Sequence, residues 1–159
     1  MRLASFLLAA AVAGCASEQQ SRHTSPDYGD AGRIVGGRLG TVALAERCAA
    51  TFPELAEEID PALRDWRWRN DPIAASVEQR MWVALAVRGA TAQEVEAGKA
   101  SFAHELARIR VDMENWFASW SPPLQRGFCE RIGGRLALGD DDLARRYPGE
   151  IRRWQGATR

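Results

Sequence analysis

Lysine is almost missing from this sequence: Lys99 stands alone, and the other twenty basic residues are arginine, a bias that GC-rich coding produces before any arginine-specific role. An excess of charge is missing too. The 21 basic and 21 acidic residues leave a formal net charge of zero, which offers no overall field for nucleic acid or another polyanion. Histidine occurs only as His23 and His104. His104-Glu105 has no second histidine four residues on, so the helical zinc-protease pair is absent and no metal site is expected. No two cysteines stand at the Cys-Xaa-Xaa-Cys spacing of redox catalysis. None of Ser76, Ser101, Ser119 and Ser121 lies in a nucleophile-elbow motif, and Asp140-Asp141-Asp142 lacks the alternating ligands and glycine of a calcium loop. No apolar run reaches the roughly 20 residues that span a bilayer. No alternating run or hairpin turn marks a strand. What remains, 46% hydrophobic residues in a chain of 159, suffices for one domain with a sizeable core. These gaps favour binding over catalysis, with no cofactor.

The amino-terminal region carries an address. Arg2 and the apolar stretch Leu3 to Val12, broken by Ser5, form a secretion signal that ends in polar Ser17-Glu18-Gln19-Gln20. Val12-Ala13-Gly14-Cys15 resembles the lipobox of bacterial lipoproteins. The resemblance implies removal of residues 1–14, a diacylglyceryl group on the Cys15 sulfur and acylation of the new amino terminus, so that several chains anchor the protein in a membrane. By the sorting pattern of that family, Ala16, where Asp would favour inner-membrane retention, implies the periplasmic face of the outer membrane. An ordinary signal peptide cut after Ala11-Xaa-Ala13 is the alternative and leaves Cys15 as a free thiol. With Cys15 assigned to the lipid, Cys48 and Cys129 remain as a disulfide pair in an oxidising compartment, two buried free thiols being the alternative. The mature chain then holds 20 basic and 21 acidic side chains, a net charge of about −1 that gives no polybasic membrane mechanism.

Residues 15–40 read as a lipidated flexible tether, rich in Ser and Gly, with a reach of about 25 to 30 Å. Inside it, Arg33-Ile34-Val35-Gly36-Gly37 imitates the activation site of trypsin-like proteases, but the downstream His and the Gly-Asp-Ser-Gly-Gly segment that such a fold needs are absent. Residues 41–159 read as the folded domain, an all-α antiparallel bundle of four to five helices plus a short C-terminal helix. Thr41 is expected to cap the first helix, and Pro53 to kink or restart it. Asp60-Pro61 and Asp71-Pro72 are each expected to start a helix, with Pro at the first helical position. Thr91-Ala-Gln-Glu94 matches a capping box, Ser121-Pro122 opens another helix, and Gly139 with Asp140-Asp141-Asp142 ends that one and caps a last one. Val95, Phe102, Leu106, Ile109, Met113, Trp116 and Trp120 form the strongest periodic stripe, which predicts a central helix about 42 Å long.

Two features suggest a surface that meets a partner. In Trp66-Arg67-Trp68-Arg69 the rings lie about 200° apart on a helix, so Trp66 joins the Ile59, Leu63 stripe and Trp68 faces outward near Arg64 and Arg67. Trp and Arg are enriched at binding hot spots. Packing of Trp68 under another helix, or stacking by Arg64, is the competing expectation. Second, residues 143–159 hold Arg145, Arg146, Arg152 and Arg153, while residues 46–60 are acidic, a dipole able to orient a protein partner or simply a solvated surface. In size, lipobox, helices and the Cys48, Cys129 pair, the chain resembles the small helical, disulfide-containing immunity proteins that bacteria export against cell-wall-degrading effectors. That resemblance implies a periplasmic protein partner; an envelope assembly or structural lipoprotein is the alternative, a hydrolytic enzyme a lesser one.

Overall fold

The structure, a computed structural model, describes residues 27–156 and holds only helices and turns among them. Asp27 begins the first helix, α1 (Tyr28–Thr51): its backbone is extended and its carboxylate accepts a hydrogen bond from the Gly29 N–H at 3.0 Å. Residues 28–40, expected as part of the tether, instead belong to this helix, with Ala31, Ile34 and Val35 buried. Five glycines between positions 29 and 40 hide the helical period; three of them, Gly36, Gly37 and Gly40, contribute to a packed face by having no side chain, against Ile109, Tyr147 and Met113. Residues 15–26, Cys15 included, lie outside the described residues. Thr41, expected as the cap, sits inside α1 and donates its hydroxyl to the Gly37 carbonyl at 2.9 Å. The helix closes at Phe52, and Pro53–Leu55 forms a single 3-10 turn, the restart expected at Pro53.

The second helix, α2 (Ala56–Val87), is continuous for 32 residues and contains Pro61 and Pro72 where two helix starts were expected. Both prolines are exposed. Each lacks the N–H that would reach the carbonyl four residues back, those of Glu57 and Trp68, and both of these residues are exposed, on the side of the helix where solvent has access to an orphaned carbonyl. On the opposite face Ile59, Leu63, Trp66, Ala74, Val77 and Met81 are buried, and this packing overrides the local breaking signal.

The third helix, α3 (Ala92–Ala118), starts in the expected capping box: the Thr91 hydroxyl accepts from the Glu94 N–H at 3.2 Å, and the Glu94 carboxylate accepts from the Thr91 N–H at 2.8 Å. It is not the central helix. No residue of its long stripe is fully buried; Trp116 is 49% exposed, and the one buried side chain, Phe117, lies off the stripe. The centre is formed by α1 and α2, and α3 leans chiefly on the glycines of α1. A Cβ at Gly36 would meet Ile109 Cδ1 at 3.5 Å, and one at Gly40 would meet Met113 Sδ at 3.5 Å.

After Ser121 comes α4 (Pro122–Ala137), ended by Gly139 with φ +71°. Two short helices follow, α5 (Leu143–Arg146) and α6 (Pro148–Gly156). Asp142 holds the cap position of α5, but its side chain does not cap it. Instead the Leu143 N–H donates to Asn70 Oδ1 on α2 at 2.7 Å, while the Asp142 carboxylate accepts from Asn70 Nδ2 at 2.9 Å and from Arg69 at 3.2 Å. A distant side chain supplies what a local one was expected to supply. Cys48 on α1 and Cys129 on α4 form the expected disulfide, fully buried, with Cα atoms 5.3 Å apart.

Candidate functional site

The middle of α2 divides its two tryptophans by the helix angle alone. Trp66 is 0% exposed and donates its indole N–H to the Asp141 carbonyl at 3.1 Å; Trp68, two residues on, is 80% exposed. No arginine stacks on the Trp68 ring among the described residues. The guanidinium groups that do lie over rings are those of Arg88, Arg126 and Arg146, over Tyr28, Phe52 and Tyr147. Pro61, Arg64 and Pro72 share the outward face with Trp68, at helical offsets of seven, four and four residues. Arg64 is exposed and makes no ion pair among the described residues.

A lattice of charges borders this face. Arg38 of α1 donates to Asp71 of α2 at 2.8 Å; Arg67 lies 3.5 Å from Asp71 and 3.8 Å from Glu46; Arg110 of α3 reaches Glu46 at 2.7 Å and Glu114 at 3.0 Å. The hydrogen bond from Arg38, opposed by partial burial and helped by the charges of Arg38 and Arg67, holds the Asp71 carboxyl below the usual aspartate range. Exposed pairs of this kind each contribute about 0 to 1 kcal/mol, so their effect is more to hold the three helices' side chains in register than to stabilise the fold.

The C-terminal arginines belong to other structures. Arg145 pairs with Asp140 at 2.6 Å, Arg146 lies 3.9 Å from Asp141, and Arg153 reaches the buried Asp30 at 2.7 Å, where Arg33 also binds. Arg152 is exposed and has no ion pair among the described residues. The expected dipole is thus partly neutralised locally: of the acidic stretch, Glu46 and Glu54 are likewise paired, Glu54 with Arg126 at 2.9 Å, whereas Glu57, Glu58 and Asp60 have no ion pair among the described residues. Nor do these arginines join Trp68 in one site, because the Asp141 loop packs on the Trp66 side of α2.

Reading the sequence missed two features. One is Asn70, buried and fully engaged on the core face of α2, whose signal was a polar residue in register with Leu63, Trp66 and Val77. The other is a cavity of about 340 Å³ where α1, α3 and α4 meet, walled in part by Gly36, Gly40, Met113, Trp116 and Phe128. Its signal, glycines at 36, 37 and 40, fell in the stretch taken for a tether. Among the described residues no three His, Cys, Asp or Glu side chains gather as a metal ion needs, and no helix is long and apolar enough to cross a membrane. Comparison with models of protein families, with curated proteins and with solved structures finds no match for the chain.

Proposed function

We propose that this chain is a lipid-anchored, periplasm-facing binding protein that acts through the Trp68 face of α2, with a protein as its partner. The observation that carries this reading is Trp68 itself. Leaving a ring 80% exposed on the longest helix forfeits the burial that its neighbour Trp66 obtains, and a desolvated Trp beside Arg is the composition of a binding hot spot. The rigid helix and the ion-pair lattice on one side support pre-organisation, which lowers the entropy lost on association. The anchor rests on the lipobox at Val12 to Cys15, and the immunity role against a cell-wall-targeting effector on the resemblance in size, helices and disulfide.

Two measurements test these parts separately. Mass spectrometry of the protein from membranes should find a mature chain starting at an acylated Cys15; an unacylated chain with another amino terminus overturns the anchor. Affinity capture from envelope extract should return a partner that Trp68→Ala loses, with a Kd raised about thirtyfold or more. A Trp68→Ala variant that binds like the parent removes this face from the proposal.

A further inference from the structure

The outward side of α2 changes character over its last turns. Ser76 and Gln79 are exposed and polar; Val83, Ala86 and Val87 continue the same face at helical spacing and are exposed and apolar, Val87 at 82%. From Gln79 to Gln93 the chain carries Arg80 and Arg88 but no carboxylate, although charged residues make up 26% of the whole. Trp82, half-buried, adjoins this face and meets the Phe102 ring edge-on, with centroids 5.6 Å apart. Asp27 and Glu94, at the starts of α1 and α3, have their carboxylates turned to the backbone N–H groups of Gly29 and Thr91.

The up-and-down path of the helices fixes where this apolar tip lies. The Arg88 guanidinium sits over the Tyr28 ring, 5.4 Å from its centroid, so the turn between α2 and α3 shares one end of the molecule with the start of α1. At the other end Arg126 of α4 sits over Phe52. Asp27 follows Cys15 by twelve residues, which reach at most about 43 Å. The 24 residues of α1 are about 36 Å long. A chain held by a lipid on Cys15 spends nearly all of that reach to turn its far end to the membrane, and little of it to turn the Tyr28 end.

We propose that the tip formed by Val83, Ala86 and Val87 is a membrane-contact surface, seated in the interfacial layer of the bilayer that holds the Cys15 lipid. The inference rests on the anchor of the proposed function and adds to it the side of the domain that faces the lipid. From Val83 to Val87 the apolar face rises about 6 Å, the depth to which interfacial segments sink. Trp82 then stands at the level that aromatic rings favour, and Arg88 at that of the lipid phosphates. Two valines hold a free chain only weakly, but the anchor makes their contact intramolecular. Trp68, nineteen residues back along α2, is left about 28 Å from the surface and open to a partner.

The test uses the full lipidated chain purified from membranes and placed in vesicles of phosphatidylethanolamine and phosphatidylglycerol. A nitrobenzoxadiazole fluorophore is attached at Val87→Cys or, at the far end, at Leu124→Cys, which replaces an equally apolar and exposed side chain. The Val87 label should lose most of its quenching by aqueous iodide and gain quenching from bromine carried on the acyl chains, while the Leu124 label stays open to iodide. Adding Val83→Asp should lower the docked-to-free ratio about tenfold and return the Val87 label to iodide, with the protein still on the vesicles. Circular dichroism should match the parent in each case, since all three positions are exposed. A Val87 label as open to iodide as the Leu124 label, equal shielding of both labels, or a Val87 label that stays shielded in Val83→Asp would each overturn the contact and leave the anchor standing. An unacylated Cys15 in mass spectrometry overturns the anchor, and the contact with it.

Discussion

Trp66 and Trp68 stand two residues apart and perform different work. Trp66 fills the centre of the core and ties α2 to the Asp141 carbonyl, so Trp66→Ala should lower stability by about 3 to 5 kcal/mol as a large core truncation. Trp68→Ala should leave the melting temperature within a degree or two of the parent, since exposed substitutions of this kind stay within about 0.5 kcal/mol. Thermal unfolding of both variants checks this, and a Trp68→Ala variant that unfolds as readily as Trp66→Ala would make the ring structural. Asp71 gives a pH signature. Its folded carboxyl titrates below the unfolded value of about 3.9, so the Arg38 pair contributes stability above that pH and loses it as pH falls through the lower folded value. The gap in melting temperature between the parent and Asp71→Asn should therefore be present at pH 6 and close as pH drops below about 4. At this scale the division of the tryptophans was legible because it depends only on the helix angle. The capping of α5 by Asn70 was not, because its partners are 72 and 73 residues away.

The helices record where local chemistry decides and where it is overruled. Thr91 and Glu94 satisfy each other's backbone donors within one turn, and Gly139 adopts a positive φ that suits it best, so both boundaries were visible in the residues themselves. Pro61 and Pro72 carry the same kind of local signal and mislead, because the cost of a proline in a helix depends on whether its orphaned carbonyl faces water, which only the packed structure decides. Pro72→Ala should restore the hydrogen bond to the Trp68 carbonyl and raise stability by about 1 to 2 kcal/mol, less than the full interior-proline penalty because the unfolded chain regains freedom. Chemical denaturation measures it; an unchanged or lowered midpoint would mean that Pro72 itself is needed by the packing on the Trp66 face. The stripe of α3 misled in another way. Periodicity reports which face is apolar, not how much of it another element covers, and here the covering surface is the glycine side of α1.

For the molecule as a whole, the disulfide is the main restraint on the unfolded chain. It closes 81 residues, which in the chain-entropy picture stabilises by about 4.5 kcal/mol. The intact protein should resist thiol alkylation at Cys48 and Cys129, and reduction should lower the melting temperature by well over ten degrees; alkylation of both without a reductant would contradict the bond. Beside the ion pairs among the first three helices stand ties that reach the C-terminal segment: Arg153 holds Asp30, Asp141 receives Trp66, Asp142 receives Arg69, and Leu143 leans on Asn70, and each of these four joins a residue of α1 or α2 to one near the end. A chain that emerges amino end first, from a ribosome or a translocation pore, exposes Ile34, Trp66 and Val77 long before the residues that cover them have arrived. Individual helices form within microseconds, yet at synthesis rates of about 5 to 20 residues per second the wait for Trp154 lasts seconds. Nascent chains of this protein thus have a holding time set by delivery of the last turn, and any chaperone that escorts them must keep its grip for that long.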